Sequence, residues 1–391
     1  MISIIFLFAV IIFLTVILLN LINFKKNYII CLLITLFIII FILNLKTSID
    51  AVVSGLSLCL TSIIPTMFPF SVICNLLIYY DGISIYSKFL GPLFCKPLGL
   101  SKNSSFPIIA SLICGYPLGA KYCSDIYELG YINKSEYIRL SNIASNCGPI
   151  FILGVIGTTL FNNIEIGYLL LIANYLSIFI IGLLTRTTMD KNYKIPLQIK
   201  KSSKSFGDNF KKSIDDSINT TLSVTGFIVI FTVITSIIKE NASINFILYN
   251  IESFITIPTG SLSTLFLGSI EITNGCSLIS SSSFSIPFKL GLISFLCSFS
   301  GLSIIAQSSS FMAKHCVSIK KYSEFKFLQG LISFGITYFI ATFYRGSITT
   351  FSSHMLLGTP PKTYIFFLPA IIMILAYFTM YALKKLLFHT S

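Results

Sequence analysis

Charge is what this chain has least of. Only 10% of its 391 residues are Asp, Glu, Lys or Arg, against about 25% in a soluble domain. With 54% hydrophobic residues and a mean hydropathy of +0.88, the composition excludes a soluble globular protein. A cysteine framework is excluded too. The ten cysteines stand singly in apolar sequence without one Cys-x-x-Cys pair, and the closest set, Cys114, Cys123 and Cys147, reads as small packing residues rather than a metal or disulfide site. The three histidines, His315, His354 and His389, lie in or near loops and suggest no metal centre. No Gly-x-x-x-x-Gly-Lys loop is present, which argues against direct ATP drive.

Apolar runs fill the chain instead. Residues 1–24, 27–45, 51–80, 166–185, 217–238, 290–313, 327–344 and 363–383 are almost free of charge, and about 20 such residues at ~1.5 Å rise cross the ~30 Å hydrocarbon core. The expected class is therefore an all-α, polytopic helical membrane protein with about 10–12 transmembrane or re-entrant segments. The first run has no basic leader or small-residue cleavage site and a second run follows at once, so it reads as a retained helix. Pro65 and Pro69 interrupt 51–80, which makes that run the expected re-entrant segment.

The net charge of +13 sits in short loops, where it signals topology rather than nucleic-acid binding. Residues 186–212 hold eight Lys/Arg against Asp190 and Asp208; this segment, the loop 314–326 and Lys384-Lys385 read as cytoplasmic. Lys25-Lys26 and the count back from Arg186 disagree on the N-terminal side. The expected organisation is N-terminal helices at 1–47, a first repeat at 48–186, a basic linker at 187–212, a second repeat at 213–345 and a C-terminal helix and tail at 346–391. Ser48-Ile49-Asp50 and Ser213-Ile214-Asp215 mark the two repeats, and each is followed by a broken segment of glycine and polar residues.

Those broken segments carry the candidate site. In the first half, Gly115, Tyr116 and Pro117 interrupt an apolar run and free backbone groups near membrane depth, tolerated only against protein or a water-filled cavity. Lys121 follows at helical spacing from Asp125; it is either an i, i+4 surface pair or a cavity cation attracting an anion. Asn142 and Asn146, four apart, place two amides on one helix face, as ligand contacts or as interhelical glue. In the second half, Glu271 lies between two charge-free runs and cannot easily reach the surface. A buried carboxylate must be paired, protonated, bound to a cation or hydrogen-bonded to a broken helix, so it is the candidate for coupling-ion or proton binding or for substrate contact. Thr273, Asn274 and Gly275 flank it. Gln307 stands in a serine-rich stripe that otherwise reads as helix packing.

These motifs resemble the sporulation integral membrane proteins of YlbJ type, grouped with the nucleoside-recognition Gate-domain proteins. The resemblance is carried by residues 65–70, by Cys114-Gly115-Tyr116-Pro117-Leu118-Gly119-Ala120-Lys121, by 145–149 and by Glu271-Ile272-Thr273-Asn274-Gly275. It implies a carrier without covalent catalysis in a spore-forming bacterium, in the cell membrane or the outer forespore membrane, moving dipicolinic acid. It also implies two halves related as inverted repeats, as in concentrative nucleoside transporters. The expected partners are membrane lipid and a small anionic metabolite, with no nucleic acid and no cofactor beyond a coupling ion or proton; a homo-oligomer is left open. A nucleoside or other small-metabolite carrier and a non-transporting scaffold for spore-envelope assembly are the alternatives.

Overall fold

The computed structural model describes residues 26–186, 205–255 and 257–343, which form helices and connecting turns with no strand among them. The run at 1–24, most of the 187–212 linker, the run at 363–383, His354 and His389 lie outside the described residues. Helix α1 (Lys26–Leu43) exposes Leu32, Leu33 and Leu43 along its length. In water this would be a large apolar patch, whereas in a bilayer it is a lipid-facing surface. Five described helices are long and apolar enough to cross a membrane, and the chain is an integral membrane protein.

The run expected to be re-entrant is instead continuous. Helix α2 (Leu45–Leu58) passes through a π-helical turn (Cys59–Ile63) into α3 (Ile64–Tyr79), making one 35-residue span, about 50 Å long. Pro65 is the second residue of α3, directly after the π-helical turn. The wider turn before it loosens the carbonyls of Ser62 and Ile63, and the Thr66 hydroxyl donates to both (2.8 and 3.1 Å). The π distortion thus lies directly before Pro65, while Pro69 stands inside α3, which carries it without ending.

The order of elements then recurs. After α2–α3 come α4 (Gly82–Phe89), α5 (Gly91–Leu98), α6 (Ser105–Cys114), α7 (Leu118–Glu128), α8 (Lys134–Ile143), a π-helical segment (Ile150–Leu160) and α9 (Ile164–Leu184). The second series runs α10 (Phe206–Glu240), α11 (Ala242–Ile255), α12 (Ser261–Ile270), α13 (Ile272–Ser281), α14 (Ile286–Phe299), α15 (Gly301–Met312) and α16 (Ile319–Phe343). Each series holds a 35-residue helix, a pair of half-helices, a helix broken at its middle and a closing span. The two Ser-Ile-Asp triplets lie near the starts of the two long helices. Those helices pack antiparallel: Thr47 donates to Glu240 (2.5 Å) at one end, while Asn75 donates to Ser217 (3.0 Å) and Tyr79 to Asp216 (2.6 Å) at the other.

Half-helices pack closely because glycine removes the side chain between them. A Cβ on Gly275 would lie 2.2 Å from the Cα of Gly268, which faces it across the α12–α13 hairpin, and one on Gly119 would lie 2.1 Å from the carbonyl oxygen of Ala144. Both contacts are with backbone, so neither can yield by a rotamer change. Gly226 on α10 has open space around it. Gly275→Ala and Gly119→Ala should each cost about 1–3 kcal/mol, read as a fall in melting temperature of the detergent-solubilised protein. Gly226→Ala should leave it unchanged or raise it slightly.

Candidate functional site

The four chain breaks meet at one cavity of about 900 Å³, counted out to its open mouth. Cys114 and Tyr116 come from the break between α6 and α7, Gly148 and Ile150 from the break after α8, Glu271 to Thr273 from the break between α12 and α13, and Ser303 and Gln307 from α15 just past the break at Ser300. The long helices close the remaining sides with Ser62, Thr66 and Phe70 of the π-distorted span and with Val224 and Ile228 of α10. The lining is mainly apolar with a few convergent polar groups, the composition of a small-molecule site.

Each break is secured by the protein around it. Gly115, at φ +81°, takes a conformation open mainly to glycine, and its Cα side abuts the amide of Gly148, so the two first-half breaks touch. The Tyr116–Pro117 peptide is cis. Tyr175 of α9 donates to the Leu112 carbonyl (2.5 Å) near the end of α6. In the second half, Ser300 and Gly301 both have positive φ and split the serine-rich run 290–313, which the sequence presents as one span. Gly301 packs against the terminal carbonyls of Gly268 and Ser269.

Glu271 is buried in an extended residue between α12 and α13. Its carboxylate accepts from the amides of Thr273 (3.0 Å) and Asn274 (2.8 Å) and so caps α13. Two orphan donors and the positive end of the helix dipole stabilise its charge. Among the described residues it is also the only charged side chain that lines the cavity.

The sequence-predicted residues divide between this cavity and its surroundings. Tyr116, Glu271, Thr273 and Gln307 line it. Tyr116 donates to the Cys147 thiol (3.3 Å) and Gln307 to Ser303 (3.2 Å). Gly115 and Pro117 shape the first break, and Asn274 and Gly275 lie in the first turn of α13 as amide donor and packing contact. Asn142 is buried on α8 away from the lining. Asn146 donates to Ser111 (3.0 Å) and to the Ile143 carbonyl (2.5 Å), the interhelical-glue alternative. Lys121 does not reach the cavity: it pairs with Asp125 (2.8 Å), donates to Asn75 (3.0 Å), and faces a second, more open hollow. Lys212 and Lys314 line that hollow too, which brings the two basic loops to one side of the membrane, as the positive-inside pattern requires.

Three buried charges escaped the sequence reading. Arg139 lies in a mixed-charge stretch that looks solvated, yet its guanidinium donates to the carbonyls of Leu98 (2.8 Å), Gly99 (3.0 Å) and Thr185 (2.7 Å), closing the ends of α5 and α9. Glu252 accepts from the amides of Gly260, Leu262 and Ser263 at the start of α12. Lys326, counted with the basic loop 314–326, belongs to α16 and is completely buried. Its only sequence signal is its place at the edge of a charge-free run.

The family described as Nucleoside recognition (Gate) matches residues 60–182. The chain is 26% identical over 309 residues to the sporulation integral membrane protein YlbJ of Bacillus subtilis (strain 168), covering 73% of this chain and 76% of that one. Two solved structures of CNTnw, a doubly substituted form in an outward-facing state and one in an inward-facing substrate-bound state, superpose with TM-scores of 0.41 and 0.39 at 16% and 17% identity. Each comparison covers 72% of this chain and 75% of the solved one. The resemblance to sporulation membrane proteins with a Gate segment, drawn first from the motifs, is thereby borne out.

Removing the Glu271 cap should be felt in stability. Glu271→Ala strips both acceptors from α13 and should melt lower than Glu271→Gln, which keeps one, by about 1 kcal/mol, measured by thermal unfolding in detergent.

Proposed function

We propose, from the kinship with a sporulation integral membrane protein and from the convergence of four chain breaks on one cavity, that this chain is a secondary membrane carrier. The convergence carries the reading. Half-helices that end inside the membrane place main-chain amides and carbonyls at the cavity wall, and two series of helices meeting at those ends can rock against each other to expose the site to either side.

The substrate is a small polar metabolite, and dipicolinic acid is the one that the sequence resemblance implies. A planar dicarboxylate would use helix N-termini at the breaks as anion sites and would meet the lysine-lined hollow on its way. At the cavity it also meets Glu271. Like charges at close range in a low dielectric repel strongly, so a dicarboxylate enters only with a proton or cation, which makes Glu271 the coupling group. A nucleoside is the second reading: a neutral ring with hydroxyls satisfies Glu271, Gln307 and Tyr116 with no companion ion, and the Gate match bears that description. The expected setting is the cell membrane or outer forespore membrane of a spore-forming bacterium.

The test is uptake by the purified protein in liposomes, with radiolabelled dipicolinate and nucleosides in parallel. The expected result is saturable dipicolinate uptake, stimulated by an inward proton or cation gradient. It should fall at least tenfold in Glu271→Gln and persist with altered KM in Lys121→Ala. Uptake of nucleosides alone replaces the substrate, and no uptake of either, with harmless site substitutions in vivo, replaces the carrier by a scaffold.

A further inference from the structure

Among the described residues Lys326 is the one completely buried lysine, and it makes no ion pair with any of them. Thirteen of the fourteen acidic residues in the chain, all but Asp190, are described, and none of these thirteen pairs with it; the two buried carboxylates, Glu271 and Glu252, cap helices instead. Its ammonium instead donates to the main-chain carbonyl of Ser145 and to Gln329 Oε1 (2.7 Å). Ser145 stands in the first-half break, just after α8 has ended and its carbonyls have lost their partners. The neighbouring oxygens are also fixed: Tyr322 donates to the Ser145 hydroxyl (2.7 Å), while the Gln329 amide donates to Asn146 Oδ1 (3.3 Å) and Ser177 Oγ (3.2 Å).

The ammonium thus faces two uncharged oxygens, a freed main-chain carbonyl and an amide oxygen, ligands of the kind that hold a hard monovalent cation at an unwound helix. A lysine held only for packing would not need them, and an ammonium left unpaired in the core would be very costly. We propose that the Lys326 ammonium is a tethered cation: it fills, from within the chain, a monovalent-cation site at the first-half break. The wild-type protein therefore needs no free metal ion there, and removal of the ammonium converts the position into a site for Na⁺ or K⁺. Lys326 is a positioning residue, since it comes from the second series and holds the break of the first. The consequence for transport, that no alkali ion couples through this break, rests on the carrier reading; the site itself does not.

The experiment is thermal unfolding of the full chain in detergent, in choline, sodium and potassium chloride at equal ionic strength. Wild type should melt at the same temperature in all three. Lys326→Ala and Lys326→Met, the second keeping the apolar stem, should melt several degrees lower in choline, and sodium or potassium should restore at least half of the loss. Three results would overturn the proposal: Lys326→Met as stable as wild type in choline, variants that no alkali cation rescues, or a wild type that gains as much from the alkali cation as the variants. Because this readout needs no substrate, a failed uptake assay leaves it intact, and its own failure leaves the carrier reading standing.

Discussion

Every helix that ends inside a membrane protein leaves main-chain donors or acceptors that no water will satisfy, and this fold ends many helices there. The buried charges meet that need. Glu271 and Glu252 cap the amides at the starts of α13 and α12; Arg139 and Lys326 take up carbonyls where α5, α9 and α8 have ended. Each sign matches the helix end it touches: carboxylates at N-termini, cations at C-termini. Charge is scarce in this chain, and much of what is buried is committed to holding broken helices open.

That arrangement ties the halves together. Lys326 and Gln329 of α16 reach the first-half break, Asn174 of α9 reaches Ser298 of α14 (2.9 Å), and Ser145 lies against Ser308 of α15 (3.5 Å). The serine-rich second half makes such contacts with small side chains: Ser294 meets Ser333 at 2.7 Å, and Gly330 faces the Phe295 ring. Small residues permit close approach of helices where lipid offers no hydrophobic drive.

The membrane class and the broken segments were legible because both are local. Apolar run length reveals a span, and Gly-Tyr-Pro or a lone Glu271 in charge-free sequence reveals a break. The site was only partly legible. Tyr116, Glu271, Thr273 and Gln307 do line the cavity, yet Lys121 faces another hollow and Asn146 is interhelical glue. Which way a side chain points depends on neighbours far along the chain, such as Asn75 for Lys121 and Gln329 for Asn146. For the same reason Lys326 passed for a loop charge and the stretch ending at Arg139 for a solvated one, since both bond to main-chain carbonyls, which every residue carries. The prolines of 51–80 misled in the opposite direction, because the helix carries both without breaking, Pro65 just past a π turn and Pro69 within α3.

The account depends on the two series moving against each other around the breaks. Its most direct test is a pulsed-EPR distance between spin labels at Leu129, beyond α7, and Leu222, on α10, both exposed, with exposed Cys31 and Cys316 replaced by serine. Two distance populations, whose ratio shifts when dipicolinate or a nucleoside is added, are predicted. A single distance that no ligand or ion gradient alters would contradict alternating access and leave a static membrane scaffold.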